Sequence, residues 1–173
     1  MRKSLALLPL VVCAAGVLTV AAPAGAAPSG ATATTFQVGG GTLDVAVPAS
    51  ASLGSVPTSS LAQVLSAVPL GNVTVTDARG VSSGWVVTVS ATNFTGPQTL
   101  AAATVYTPTQ ASTTNATVTP AADQTLAPTA ATVQTATLAV GVNSATWNPT
   151  ITVTIPANAL AGTYSCTITQ SVS

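Results

Sequence analysis

The chain has no histidine and no glutamate, and its 173 residues include only three aspartates and three basic side chains. Charged residues make up 3%, where about a quarter is usual for a soluble globular chain. Each absence removes a class of function. Without histidine there is no Ser-His-Asp triad and no imidazole general base. Zinc requires Cys, His or carboxylate ligands in tight groups, and the few candidates here are scattered, so neither a metal site nor a cofactor is expected. Asp44, Asp77 and Asp123 lie in no motif that suggests a paired acid and base. No basic face is available to neutralise phosphates, which excludes nucleic acid as a partner. Charge-driven disorder is also excluded, because 47% of the residues are hydrophobic. The composition therefore points to a protein that is not an enzyme.

What is present begins with an export signature. Arg2 and Lys3 precede an apolar run from Leu5 to about Ala22, followed by the small residues Pro23-Ala24-Gly25-Ala26-Ala27. A basic start, an apolar middle and an A-x-A end define a secretory signal peptide, and the expected cleavage follows Ala26. The predicted organisation is a signal peptide over 1–26, a short linker over 27–35 and one domain over 36–173. Removal of 1–26 takes away both Arg2 and Lys3. The mature chain then has one cation, Arg79, against Asp44, Asp77 and Asp123, a net charge of −2. It keeps one cysteine, Cys166, so no internal disulfide forms. No membrane span is expected in this form. No LPxTG-like sorting sequence follows the last strand, so any attachment to a surface is expected to be non-covalent. The expected location is extracellular.

Alternation with period two dominates the rest. A strand region over 35–48 contains Phe36 and Val38, a bend at Gly39-Gly40-Gly41, and then Leu43, Val45 and Val47 on one face. Val73 and Val75 alternate with threonines over 71–77. Trp85, Val87, Val89 and Ala91 alternate with hydroxyl residues over 85–92. Further strands are read over 100–106, 134–142 (Leu138, Val140 and Val142 on one side), 150–156 and 163–173. Residues 59–68 are read as a connection with one helical turn. The Ala/Thr/Pro-rich stretch 108–132 is read as long loops with a short edge strand near 117–119. Threonine favours strands through its branched Cβ and meets water with a hydroxyl instead of a charge. Seven or more short strands of this kind predict an all-β fold, an antiparallel two-sheet sandwich of immunoglobulin-like type.

The most unusual local grouping is Val75-Thr76-Asp77-Ala78-Arg79-Gly80 followed by Gly84-Trp85. It holds the one cation of the mature chain, one of its acids and one of its two tryptophans. Residues 78–84 are read as the loop of a hairpin between antiparallel strands. Asp77 and Arg79 then either tie the loop together beside a core tryptophan, or form with Trp85 a binding edge at one end of the domain. Trp147, in Ala145-Thr146-Trp147-Asn148-Pro149, is either an end plug or a second contact residue. Asp77, Arg79, Trp85 and Trp147 are thus the candidate ligand-binding residues.

Leu70–Gly80, the Gly84-Trp85 strand, Ala145–Thr150, Pro156 and Ala161–Tyr164, together with Gly40-Gly41-Thr42-Leu43, resemble the WxL domain of Gram-positive surface proteins, in particular its short actinobacterial relatives. The resemblance spans most of residues 36–173. It implies a β-sandwich held non-covalently on the cell wall, with peptidoglycan or another envelope polymer as ligand. The chain departs from the family pattern in having Trp85-Val86-Val87 where the name motif has Trp-x-Leu, and in ending Thr169–Ser173 without a second such motif. A different expectation follows from the uncharged strand surfaces. With few charged gatekeepers, the domain could serve as a structural or assembly subunit that binds other surface proteins through its sheet edges.

Overall fold

The computed structural model describes residues 30–100 and 103–173. The expected signal peptide and its cleavage after Ala26 lie outside the described residues. Residues 37–173 form one compact unit. The strands are β1 (Leu43–Ala46), β2 (Gln63–Pro69), β3 (Val73–Asp77) and β4 (Trp85–Ala91), then the short pair β5 (Phe94–Thr95) and β6 (Thr99–Leu100). They continue with β7 (Ala103–Thr107), β8 (Ser112–Pro120), β9 (Gln124–Thr125), β10 (Ala131–Trp147), β11 (Thr150–Ile155) and β12 (Ile168–Val172). All pairings are antiparallel. Among the described residues there is no helix, and hence none long and apolar enough to cross a membrane.

Strand β10 organises the first sheet. Its 17 residues rise about 3.3 Å each, which gives it room for two partners end to end. Along it, residues 131–136 meet β4 and residues 143–147 meet β3. Both partners are antiparallel to β10, so they run in the same direction and do not pair with each other. This corrects the hairpin expected around residues 78–84. The loop there is an excursion between two consecutive stretches laid along one long strand. At one end the sheet reads β8-β10-β4-β12, and at the other β8-β10-β3-β1. The second sheet has the order β2-β11-β7-β9.

Two tight crossings carry the chain between the sheets. Leu70-Gly71-Asn72 leads from β2 to β3, and Asn148-Pro149 leads from β10 to β11. They hold each other: Leu70 N donates to Pro149 O at 3.0 Å, and Gly71 N donates to Asn148 Oδ1 at 3.0 Å. Gly71 needs its lack of a side chain, with φ of 97° and a Cβ that would press on the Pro48 ring. The inward positions then share one core. Val73, Val75, Trp85, Val87, Val89 and Trp147 of the first sheet join Tyr106, Ile151 and Val153 of the second. Burying each Val or Ile stabilises by about 1.5–3 kcal/mol before entropy is counted.

Three segments differ from the sequence reading. Residues 63–69 form a full strand in place of a helical turn, because pairing with β11 overrides local preference. Residues 112–120 form a long strand beside β10 in place of loops. Only Val118 of that strand is buried, which is why the apolar period was faint. Among the described residues no strand precedes Leu43, and Phe36 and Val38 are exposed. The side shared by Leu138, Val140 and Val142 is the exposed one. In that region four β10 residues, Val140 to Asn143, lie opposite the single Asn115 of β8. Asn115 takes a left-handed φ of 53°, as asparagine tolerates, and its Nδ2 donates to Val142 O at 3.1 Å.

Gly84 closes the excursion against β10, and a Cβ there would overlap the Ala136 carbonyl oxygen. Gly84→Ala should therefore lower the stability by about 1–3 kcal/mol, read as a fall in the urea midpoint at unchanged slope.

Candidate functional site

Asp77 ends β3 on the inward parity of Val73 and Val75, so its carboxylate is directed into the domain and is fully buried. Each of its oxygens accepts two hydrogen bonds. Oδ1 takes Arg79 N at 3.0 Å and Arg79 Nε at 2.9 Å, and Oδ2 takes Arg79 Nη2 at 3.0 Å and Asn143 Nδ2 at 3.2 Å. Arg79 Nη2 also reaches Gly84 O at 3.3 Å, which spans the excursion from one end to the other. Asn143 turns its Oδ1 the other way to accept Trp85 Nε1 at 3.0 Å. An exposed guanidinium edge, a buried carboxylate, a buried amide and an indole thus form one chain of hydrogen bonds. The Arg79 hydrogen bonds hold the Asp77 carboxyl down to about 2, against the opposing effect of burial. The same contact pushes the Arg79 pKa up.

The stem of the excursion is clamped from outside the sheet. Gly41 N donates to Ala78 O at 2.7 Å, and Ala78 N donates to Thr42 O at 2.8 Å. A side chain at Gly40 would collide with the Arg79 carbonyl and one at Gly41 would press on the Ala78 side chain, which accounts for these two glycines. Gly141 N donates to Val81 O at 3.1 Å and joins the excursion to the irregular part of β10.

Trp147 belongs to a second chain. Its Nε1 donates to Tyr106 Oη at 3.2 Å, and that hydroxyl donates to Gln170 Oε1 at 3.2 Å. Burial pushes the Tyr106 phenol up to about 12, with the Trp147 hydrogen bond acting against it. The structure therefore brings Asp77, Arg79 and Trp85 into one network through Asn143, and places Trp147 in a separate one. Trp85 and Trp147 are 1% and 2% exposed, so neither presents a ring face for stacking on a ligand. Of the four residues only Arg79 reaches solvent, with 30% of its side chain exposed. The sequence reading missed Asn143 and Tyr106. Counting back by two from Trp147 through Ala145 places Asn143 on the buried face, where a polar residue requires partners.

The outward face of the first sheet carries hydroxyls in register. Thr114, Ser144 and Thr76 form one row across β8, β10 and β3, ending on Asp44 of β1. Ser112, Thr146 and Thr74 form the next. Neighbours in a row stand about 4.8 Å apart across the strands. Thr74 and Thr146 join by a hydrogen bond of 3.0 Å between their hydroxyls. At the other end Thr132, Thr88 and Ser171 make a similar row. Among the described residues no group of three or more Cys or Asp side chains comes together as metal ligands.

The depressed Asp77 pKa has a definite sign in stability. A carboxyl whose folded value lies below its unfolded 3.8 stabilises the fold above about pH 4, and that contribution disappears as pH falls towards 2. Urea midpoints measured from pH 6 to pH 2 should fall through this window. Asp77→Asn should be less stable at pH 6, by about 2–3 kcal/mol, and should largely lose the acid slope.

No protein-family model, no curated protein and no solved structure matches the chain.

Proposed function

We propose that the chain is a secreted, non-catalytic surface domain, an immunoglobulin-like β-sandwich of WxL type, that associates non-covalently with the Gram-positive cell wall through peptidoglycan or another envelope polymer. The observation that carries this reading is the registered hydroxyl face of the first sheet. Polysaccharides offer hydroxyl and amide partners in repeating order, and rows of threonine and serine answer them without charge. Asp44 at the margin is the one ionised side chain in the rows described. The Asp77–Arg79–Asn143–Trp85 network supports binding indirectly, because it fixes β3 and β4 along β10 and keeps the rows aligned.

Sedimentation of the protein with purified cell walls tests the proposal. The expected result is recovery in the pellet only when walls are present. The paired substitutions Thr76→Val and Thr114→Val remove exposed hydroxyls while keeping branched side chains, and should weaken recovery about fivefold for each hydrogen bond lost. Equal recovery with and without walls would overturn the reading.

One observation favours a second reading, assembly with other surface proteins. Leu138, Val140 and Val142 stand 66%, 64% and 62% exposed along one side of β10, and β8 beside them, which carries no charged residue, pairs among the described residues with β10 alone. Under this reading sedimentation velocity at high concentration shows self-association, or crosslinked envelopes yield a partner, and Val140→Lys abolishes either. A monomer at every concentration with no crosslinked partner argues against it.

A further inference from the structure

The two sheets do not close on each other along one side. A cleft of about 790 Å³ opens there, with Leu65 of β2, Val153 and Ile155 of β11 and Ile168 of β12 on its walls and Phe94 and Leu100 beside them. Voids in a packed core are far smaller than this, and the volume falls within the range of small-molecule sites. The connection over residues 47–62, which joins β1 of the first sheet to β2 of the second, runs along the opening and lowers Leu53 against the core. Connections of this length without regular structure are uncommon in compact domains and often cover binding sites.

The chemistry of the walls is one-sided. None of the lining residues is ionised. The buried lining residues Val153, Phe94 and Leu100 are aliphatic and aromatic, Ser50, Ser52, Thr58 and Thr163 are exposed hydroxyls at the rim, and Gln63 and Gln170 add two amides, the second already accepting from Tyr106. Tyr164 is fixed at the rim by its hydroxyl, which donates to Leu160 O at 2.9 Å. Cys166 also lines the cleft as a free, half-buried thiol whose pKa burial pushes up.

We infer that this cleft binds a small uncharged amphiphile, with an aliphatic body between the sheets and a hydroxyl or amide head at the rim. Displacing water from the aliphatic walls supplies the attraction, at roughly 25 cal/mol per Å² of apolar surface covered. Selection against charge follows from the same walls. A carboxylate head would leave water for a site without a cation to meet it. This site is on the inner faces of the sheets and does not depend on the hydroxyl face proposed to meet the cell wall.

Cys166 makes the inference testable without altering the protein. Its alkylation by iodoacetamide is followed by mass spectrometry of the peptide that contains it, in the presence of decanol below its aqueous solubility limit or of decanoate below its critical micelle concentration. Decanol at about ten times its Kd should slow the alkylation about tenfold by mass action. Decanoate, of equal chain length, should need at least about tenfold higher concentration for the same protection. Leu65→Trp fills the cleft, and Leu53→Trp fills it from the covering connection without touching a strand. Whichever of them keeps the wild-type β-sheet circular dichroism should lose protection by decanol. No protection of the wild-type protein by decanol overturns the site. Equal protection by decanoate overturns its selectivity for an uncharged head, and protection that persists in a folded variant overturns its location. Wall sedimentation of the same preparations separates failure here from failure of the wall-binding reading.

Discussion

A single buried carboxylate sets the geometry of the first sheet. Asp77 lies where β3 stops, at the point where the chain leaves β10 and must return to it as β4. A charge in that position is costly unless it is paired and hydrogen-bonded, and its two oxygens take four donors. Three come from Arg79, within the excursion itself, and the fourth from Asn143 on β10. Because Asn143 also accepts the indole of Trp85, the end of one strand and the start of the next are fixed to the same residue of the long strand between them. The arrangement needs every member. Removing one leaves a donor or acceptor buried without a partner.

The almost uncharged surface follows from a different constraint. With so few ions, water must be met by hydroxyls, and a half-buried strand can present them only on alternate residues. Threonine suits both demands, since branching favours the extended backbone and the hydroxyl points away from the core. Antiparallel register then brings these hydroxyls into rows, as in Thr114–Ser144–Thr76 and Ser112–Thr146–Thr74. A chain that solved solubility with lysine and glutamate would have no such rows. The same composition leaves the edge of β8 and the apolar side of β10 without charged neighbours, and leaves the cleft between the sheets without an ion. A sparsely charged outer face, an unguarded edge and a cleft without an ion are three consequences of one compositional choice.

Much of the fold was legible because alternation was clean where one face is buried. Val73 with Val75, and Trp85 with Val87 and Val89, share one face by period two, and they are buried there. Alternation was lost where strands lie at an edge or contain irregularities. Strand β8 buries only Val118, β2 has half-buried positions and a left-handed residue at Ala67, and β10 changes its buried parity between Ala136 and Ala139. The candidate site was half legible. Asp77, Arg79 and Trp85 were grouped by closeness in sequence, and one hydrogen-bond network joins them, Trp85 through an intermediary. Asn143, which joins them, is remote in the chain, and Trp147 turned out to belong with Tyr106 and Gln170 instead.

The amino-acid sequence alone determined the all-β class, the polar coat of hydroxyls and the exclusion of histidine chemistry, because these depend on composition and on a period of two residues. Tertiary structure alone decided that β3 and β4 run in line along β10, that both tryptophans are enclosed, and that a cleft remains between the sheets. Those outcomes depend on which distant strands pair and in what register, and alternation is the same for every partner a strand could choose.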